Sequence, residues 1–279
     1  MIYRHSWIKS TSYICGMDII LTILLLLSLI LIVSALFFMK RKRRPAPASF
    51  FPLPDEGRRL LRENVPFYNE LPPAKQNEFE TRMQQFLGNV RITGVNTTVE
   101  ELDRILIAAS AIIPIFGFPD WEYVQLKEVL LYPDSFNQEF AQDGYGRDTL
   151  GMVGSGPYQN VMILSQFQLR QDFLNKTGKG NTAIHEFVHL VDKTDGSVDG
   201  IPEFILNHKY ITPWLELMHK EIRRILADKS DINPYGATNQ GEFFAVVSEY
   251  FFERPTLLKE KHPELYQLLS VIFRQQPQV

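Results

Sequence analysis

The sequence predicts a mostly helical α+β domain with a small sheet, preceded by one N-terminal transmembrane helix. Three observations carry this: an uncharged apolar run over residues 19–38, helix-spaced apolar residues through much of 55–279, and two short apolar runs of strand character. The chain has 279 residues, 45% hydrophobic and 22% charged, which provides for a core and excludes wholesale disorder. Its 29 basic and 32 acidic residues leave a formal net charge of −3, which disfavours a nucleic-acid partner. The single cysteine, Cys15, excludes an intrachain disulfide and a cysteine-based zinc ribbon.

Residues 1–18 are a short extension, and 19–39 the expected membrane helix. Within the run only Thr22, Ser28 and Ser34 are polar, and as helix it reaches about 30 Å, the thickness of the hydrocarbon layer. A cleavable signal peptide places basic residues before its apolar run. Here Lys40, Arg41, Lys42, Arg43 and Arg44 follow it and only Arg4 and Lys9 precede it. The run therefore reads as a retained cell-membrane anchor with the C-terminal domain in the cytoplasm. Cys15 precedes the run, so a lipoprotein signal does not fit. A start at Met17 would delete Cys15 and both upstream basic residues and sharpen the charge asymmetry. Residues 40–54 form a basic, proline-rich linker, stiff over PAPASFFPLP, and the soluble domain spans 55–279.

Within that domain helices are expected over 60–65 and 72–87, the second opened by Pro72 and Pro73 with Phe79, Met83, Phe86 and Leu87 on one stripe. A third, over 99–112, follows a Thr98-x-x-Glu101 capping pattern. Strands are expected over 129–132 and 161–164, with a polar, glycine-rich loop or hairpin over 138–156 between them. The segment GMVGSG lacks the lysine of a P-loop and the spacing of a dinucleotide fingerprint. An amphipathic helix over 263–273 and a frayed tail over 275–279 close the chain.

The chemistry concentrates in Asn181-Thr-Ala-Ile-His185-Glu186-Phe-Val-His189-Leu-Val-Asp192. Asn181 or Thr182 can cap a helix and Gly196 can end it. On that helix His185 and His189 stand four apart on one face, the bite needed to hold one Zn²⁺. Glu186, rotated by about 100°, can approach a reacting water without being a ligand. The bland alternative, an amphipathic helix with buried histidines, leaves two imidazoles needing partners in an apolar setting. A catalytic zinc needs a third protein ligand. Asp195 is a poor candidate, because Asp192 stands where a glycine would let the chain double back. Glu242 and Glu249, seven apart in the apolar segment 240–253, both remain open.

HEFVHLVD, the turn Asp199-Gly200-Ile201-Pro202, Asn233-Pro-Tyr235-Gly-Ala-Thr and Gly241-Glu242-Phe-Phe-Ala-Val-Val-Ser-Glu249-Tyr-Phe-Phe together resemble the zinc peptidases typified by Mlc titration factor A. The resemblance covers most of the soluble domain and not the anchor. It implies a zincin-like domain of the gluzincin type, with Zn²⁺ on His185, His189 and Glu242. It further implies Glu186 as catalytic base and Tyr235 beside the site, where a phenol can stabilise an oxyanion. Asp192 is placed to hydrogen-bond a ligand imidazole, and Glu249 to do the same or to pair a buried basic group.

The reaction implied is peptide hydrolysis, aminopeptidase-like or limited endopeptidase, with an extended substrate pairing along the edge of the strand near Val161. The competing expectation is a membrane-tethered binding protein that sequesters a transcriptional regulator, its zinc site of low or no activity. No fourth ligand for a closed structural site is evident, and His208 and His219 read as surface residues.

Overall fold

A computed structural model of the chain describes residues 26–28, 34, 53–137, 139, 141–142, 146–154, 158–202 and 205–277. The chain divides into two compact units, residues 1–49 and 50–279. The expected anchor over 19–39 and linker over 40–54 lie almost entirely outside the described residues. Of the anchor, Leu26, Leu27, Ser28 and Ser34 are described, and they are helical. No helix among the described residues is long and apolar enough to cross a membrane.

The second unit is mostly helical with one four-stranded sheet, the α+β class expected. Helices α1 (Asp55–Asn64), α2 (Pro66–Asn69) and α3 (Pro73–Asn89) lead to strand β1 (Arg91–Gly94). Then come α4 (Glu101–Ile115), β2 (Glu128–Tyr132), β3 (Gly151–Val153), β4 (Val161–Ser165) and α5 (Gln166–Leu174). Helices α6 (Thr182–Asp192), α7 (Ile211–Leu226), α8 (Gln240–Glu253), α9 (Pro255–Lys261) and α10 (Pro263–Phe273) complete it. Pro66, Pro73, Pro255 and Pro263 each open a helix, where a missing N–H costs nothing.

Helix α4 is the axis of the core. It is apolar all round and buried along nearly its whole length, and α1, α3, α5 and α6 pack on it. Its capping differs from expectation: the reciprocal box is Glu100 with Asp103, and the helix starts at Glu101. Arg170 of α5 grips the fully buried Asp103 with two nitrogens, at 2.7 and 2.9 Å, which selects Asp103 over Glu101 as the capping acid.

The sheet has the order β1-β2-β4-β3, with β1, β2 and β4 parallel and β3 antiparallel at one edge. This corrects the edge expected near Val161. Strand β4 lies between β2 and β3, so both of its edges are paired. The edge strand is β3, inside the glycine-rich segment read as a loop or hairpin. Ser165 N–H donates to Leu150 C=O and Gly154 N–H to Val161 C=O. Antiparallel alternation then turns the N–H and C=O of Gly151 and Val153 outward.

The tail also differs from expectation over its described part. Gln275 donates its side-chain N–H to Ile113 C=O at 2.9 Å, and Tyr266 donates its hydroxyl to Pro277 C=O at 3.0 Å. One hydrogen bond to α4 and one back to α10 hold these residues in place instead of leaving them frayed.

Asp231 accepts from Lys179 (2.6 Å), His262 (2.8 Å), Tyr250 (2.9 Å) and Lys261 (3.0 Å), joining the loop before α6 to α8, α9 and α10. His262 is buried, with Glu221 on its other side and Arg224 beyond, bonded to Glu221. Burial disfavours the imidazolium, but Glu221 and Asp231 outweigh it and raise the His262 pKa. Burial likewise acts against charge on Asp231, and its donors hold it well below the carboxylate range. A raised histidine contributes stability in full below its unfolded value of about 6.5 and loses it as pH rises through the folded value. We expect His262→Gln to cost about 3 kcal/mol near neutral pH. Urea midpoints of wild type and variant should converge as pH is raised into the alkaline range; a gap that stays constant with pH would contradict a charged His262.

Candidate metal centre

Helix α6 begins where the Asn181 side chain accepts from Ile184 N–H at 3.1 Å, and a short turn, Lys193–Asp195, ends it at Gly196 with φ 107°. Helix α8 begins in the same way, with Asn239 accepting from Glu242 N–H at 2.9 Å. The two helices pack face to face within the core. The loop between α6 and α7 fixes their approach. Gly200 has φ 74°, and a Cβ there would stand 2.3 Å from Gln240 C=O, so only glycine permits this passage beside the start of α8. Asp192 is fully buried and accepts from Gly200 N–H at 2.8 Å, while Trp214 donates to Gly200 C=O at 2.6 Å.

Packed this way, the helices bring His185, His189 and Glu242 together, with one ligand-type atom from each within 4.8 Å of the others. His185 Nε2 lies 3.0 Å from Glu242 Oε2 and 3.0 Å from His189 Nε2, and His189 Nε2 lies 3.4 Å from Glu242 Oε2. Bond lengths of about 2.0–2.1 Å at tetrahedral angles need donor atoms about 3.3 Å apart, close to this triangle.

The proton arrangement points the same way. Glu249 accepts Asn181 N–H at 2.6 Å through Oε2, and its Oε1 lies 2.6 Å from His185 Nδ1. A carboxylate that already accepts a backbone N–H requires Nδ1 of His185 to carry the hydrogen. Neutral His185 then turns the lone pair of Nε2 toward another lone pair and a carboxylate. Such a triangle is repulsive unless a proton or a metal cation stands in it. Burial acts against charge on His185, yet Glu242 and Glu249 raise it to about 10. Burial also works against Glu242, and the two histidines bring it down to about 2. The donor set fits a divalent metal: two imidazoles, one carboxylate, and a carboxylate orienting one imidazole from behind.

Glu186 is buried on the adjacent face and its pKa is raised, first by burial, with His185 and His189 opposing. Tyr235 comes from the turn Pro234–Ala237, which packs on α8, and its ring centre lies 6.0 Å from that of His185. Its pKa is raised by burial and by the nearby charges of Glu242 and Glu186. Half of the Tyr235 surface is exposed, so it stands at the rim. Asp192 has Gly200 N–H as a hydrogen-bond donor, and Nδ1 of His189 is buried with no hydrogen-bond partner among the described residues.

Further acids gather where α6 begins. Asp172 accepts Thr182 N–H at 2.8 Å and Glu253 accepts the Asn181 side-chain N–H at 2.9 Å, both stabilised by the positive end of the helix. Burial raises Asp172 to about 6 and Glu253 to about 7. Neither was singled out from the sequence, and neither carries a local pattern that would single it out. Gly200 was visible there as part of a turn, without its reason.

The chain matches the family described as glucose-regulated metallo-peptidase M90 over residues 38–274. An uncharacterized protein of Synechocystis sp. is 32% identical over 81% of this chain and 86% of its own length. Mlc titration factor A of Serratia proteamaculans is 34% identical over 54% of this chain and 60% of its own, and that of Pectobacterium atrosepticum 29% identical over 77% and 84%.

Removing the acceptor behind His185 tests the geometry directly. Glu249→Gln keeps the shape but loses the charge that fixes the imidazole, and should weaken metal affinity by about 10–100-fold. A competitive chelator titration reads this, and unchanged affinity would mean that Glu249 only packs.

Proposed function

Because the chain belongs to the glucose-regulated metallo-peptidase M90 family, we propose that it is a membrane-anchored zinc peptidase whose soluble domain hydrolyses peptide bonds at the cytoplasmic face. The observation that carries the reading is the converging triangle of His185, His189 and Glu242 with buried Glu186 beside it. The uncharged run over 19–38 and the basic block at 40–44 support the anchor and its orientation.

His185, His189 and Glu242 would hold the metal, and Glu249 keeps His185 in the tautomer that presents Nε2. Two nitrogens and one oxygen favour zinc. When bound, zinc acidifies a water and polarises a carbonyl. Glu186, with its pKa raised by burial, accepts the proton of the attacking water and returns it to the leaving amine nitrogen. The Tyr235 hydroxyl donates to the carbonyl oxygen as it gains charge. An extended substrate pairs with the outward N–H and C=O groups of Gly151 and Val153, which lie on the β3 edge next to Glu186.

The name Mlc titration factor A, borne by several relatives, supports a second reading in which the chain sequesters a regulator. Both readings meet one assay on the full chain in detergent. We expect peptide hydrolysis that a chelator abolishes and zinc restores. Glu186→Gln should keep its zinc and lose about 10²–10⁴-fold in kcat, and Tyr235→Phe about 10²-fold. Retained zinc with no turnover on any peptide library would favour sequestration. A wild-type rate in Glu186→Gln would remove Glu186 as the base.

A further inference from the structure

Strand β3 lies directly on the face of α6 that carries Thr182 and Glu186, one helical turn apart. A Cβ at Gly151 would stand 2.8 Å from Glu186 Cγ, 2.9 Å from Glu186 Oε1 and 2.8 Å from Thr182 Cγ2. Carbon atoms in contact prefer about 3.5–4.0 Å. Gly151 is not among the glycines with positive φ, so its backbone conformation does not demand glycine. Glycine in a strand then marks a close approach. The strand cannot simply lift away, because β4 pairs with it along its length and Lys193, just beyond α6, donates to Gly154 C=O at 3.3 Å. A side chain at 151 must therefore displace the Thr182 methyl, the Glu186 side chain or both, and Glu186, with more rotatable bonds, is the one that gives way.

We propose that Gly151 is a positioning residue, an inference that rests on Glu186 being the base of a peptidase. Its missing side chain seats the Glu186 carboxylate under the edge strand, where it adjoins both the His185–His189–Glu242 cluster and the backbone groups that take an extended substrate. Base and bound peptide are thereby held in one register.

Gly151→Ala in the full chain should lower kcat by about a hundredfold, with KM and zinc content within about twofold of wild type. In a Glu186→Gln background the same substitution should cause no further loss. Crystals of the zinc-loaded variant should show the carboxylate displaced with β3 still paired to β4. A wild-type kcat, a change in KM alone, an equal loss in both backgrounds, or an unmoved Glu186 side chain would each overturn the proposal. If wild type binds zinc but hydrolyses nothing, the peptidase reading fails by itself, and the crystal comparison alone decides the seating role. Should Gly151→Ala fail to fold, adding Glu186→Ala removes the two Glu186 clashes and adding Thr182→Ser removes the Thr182 methyl clash; rescue of folding by Glu186→Ala is expected, and rescue by Thr182→Ser alone would overturn the proposal.

Discussion

The carboxylate of Glu249 joins the two helices on which the candidate site depends. One oxygen takes the N–H of Asn181, the residue that caps α6, and the other takes Nδ1 of His185 one turn later. A group that caps one helix, belongs to another and orients an imidazole fixes their relative position at the point where the chemistry must be accurate. Gly180, whose missing Cβ would stand 3.2 Å from the same carboxylate, lets the chain come that close. The arrangement concentrates buried acid at the start of α6, where the helix dipole and backbone N–H groups offset the cost of burial.

Around this joint the fold supplies rigidity and approach separately. The apolar bodies of α6 and α8 pack with α4 in the core, and their histidine and glutamate side chains are only partly shielded, so the donor triangle faces a surface and not a closed interior. Strand β3 and the turn carrying Tyr235 border it. Gly151 and Gly200 serve the same end in different ways: one gives room to a side chain, the other gives passage to a backbone carbonyl. On the far side, Asp231 and its four donors bind the C-terminal helices to the loop that enters α6.

The legible parts of the sequence were those whose signal is local. Helix α10 was expected over 263–273 and is Pro263–Phe273, and the strands near 129–132 and 161–164 lie where their apolar runs place them. The spacing of His185 and His189 needs only a helix to put both rings on one face. Strand β1 and helix α5 were not legible, because Arg91–Gly94 is four residues without a long apolar run and Gln166–Leu174 has only a weak stripe. The capping of α4 was misread because Thr98 and Glu101 satisfy the local pattern as well as Glu100 and Asp103 do. Arg170, a contact 67 residues away, decides between them.

The order of residues alone established a helix with two imidazoles on one face and an acid beside them, an uncharged apolar run over 19–38, and a resemblance strong enough to nominate Glu242. Between Glu242 and Glu249 the spacing was neutral, since both fall on nearly one face of α8. Only the packing of α8 against α6 separated them, turning Glu242 toward Nε2 and Glu249 toward Nδ1 of the same ring. Which strand lies at the edge of the sheet was settled in the same way, by strand pairing between distant segments. Periodicity reports which side of an element faces inward, but it carries no information about which distant element will meet that side.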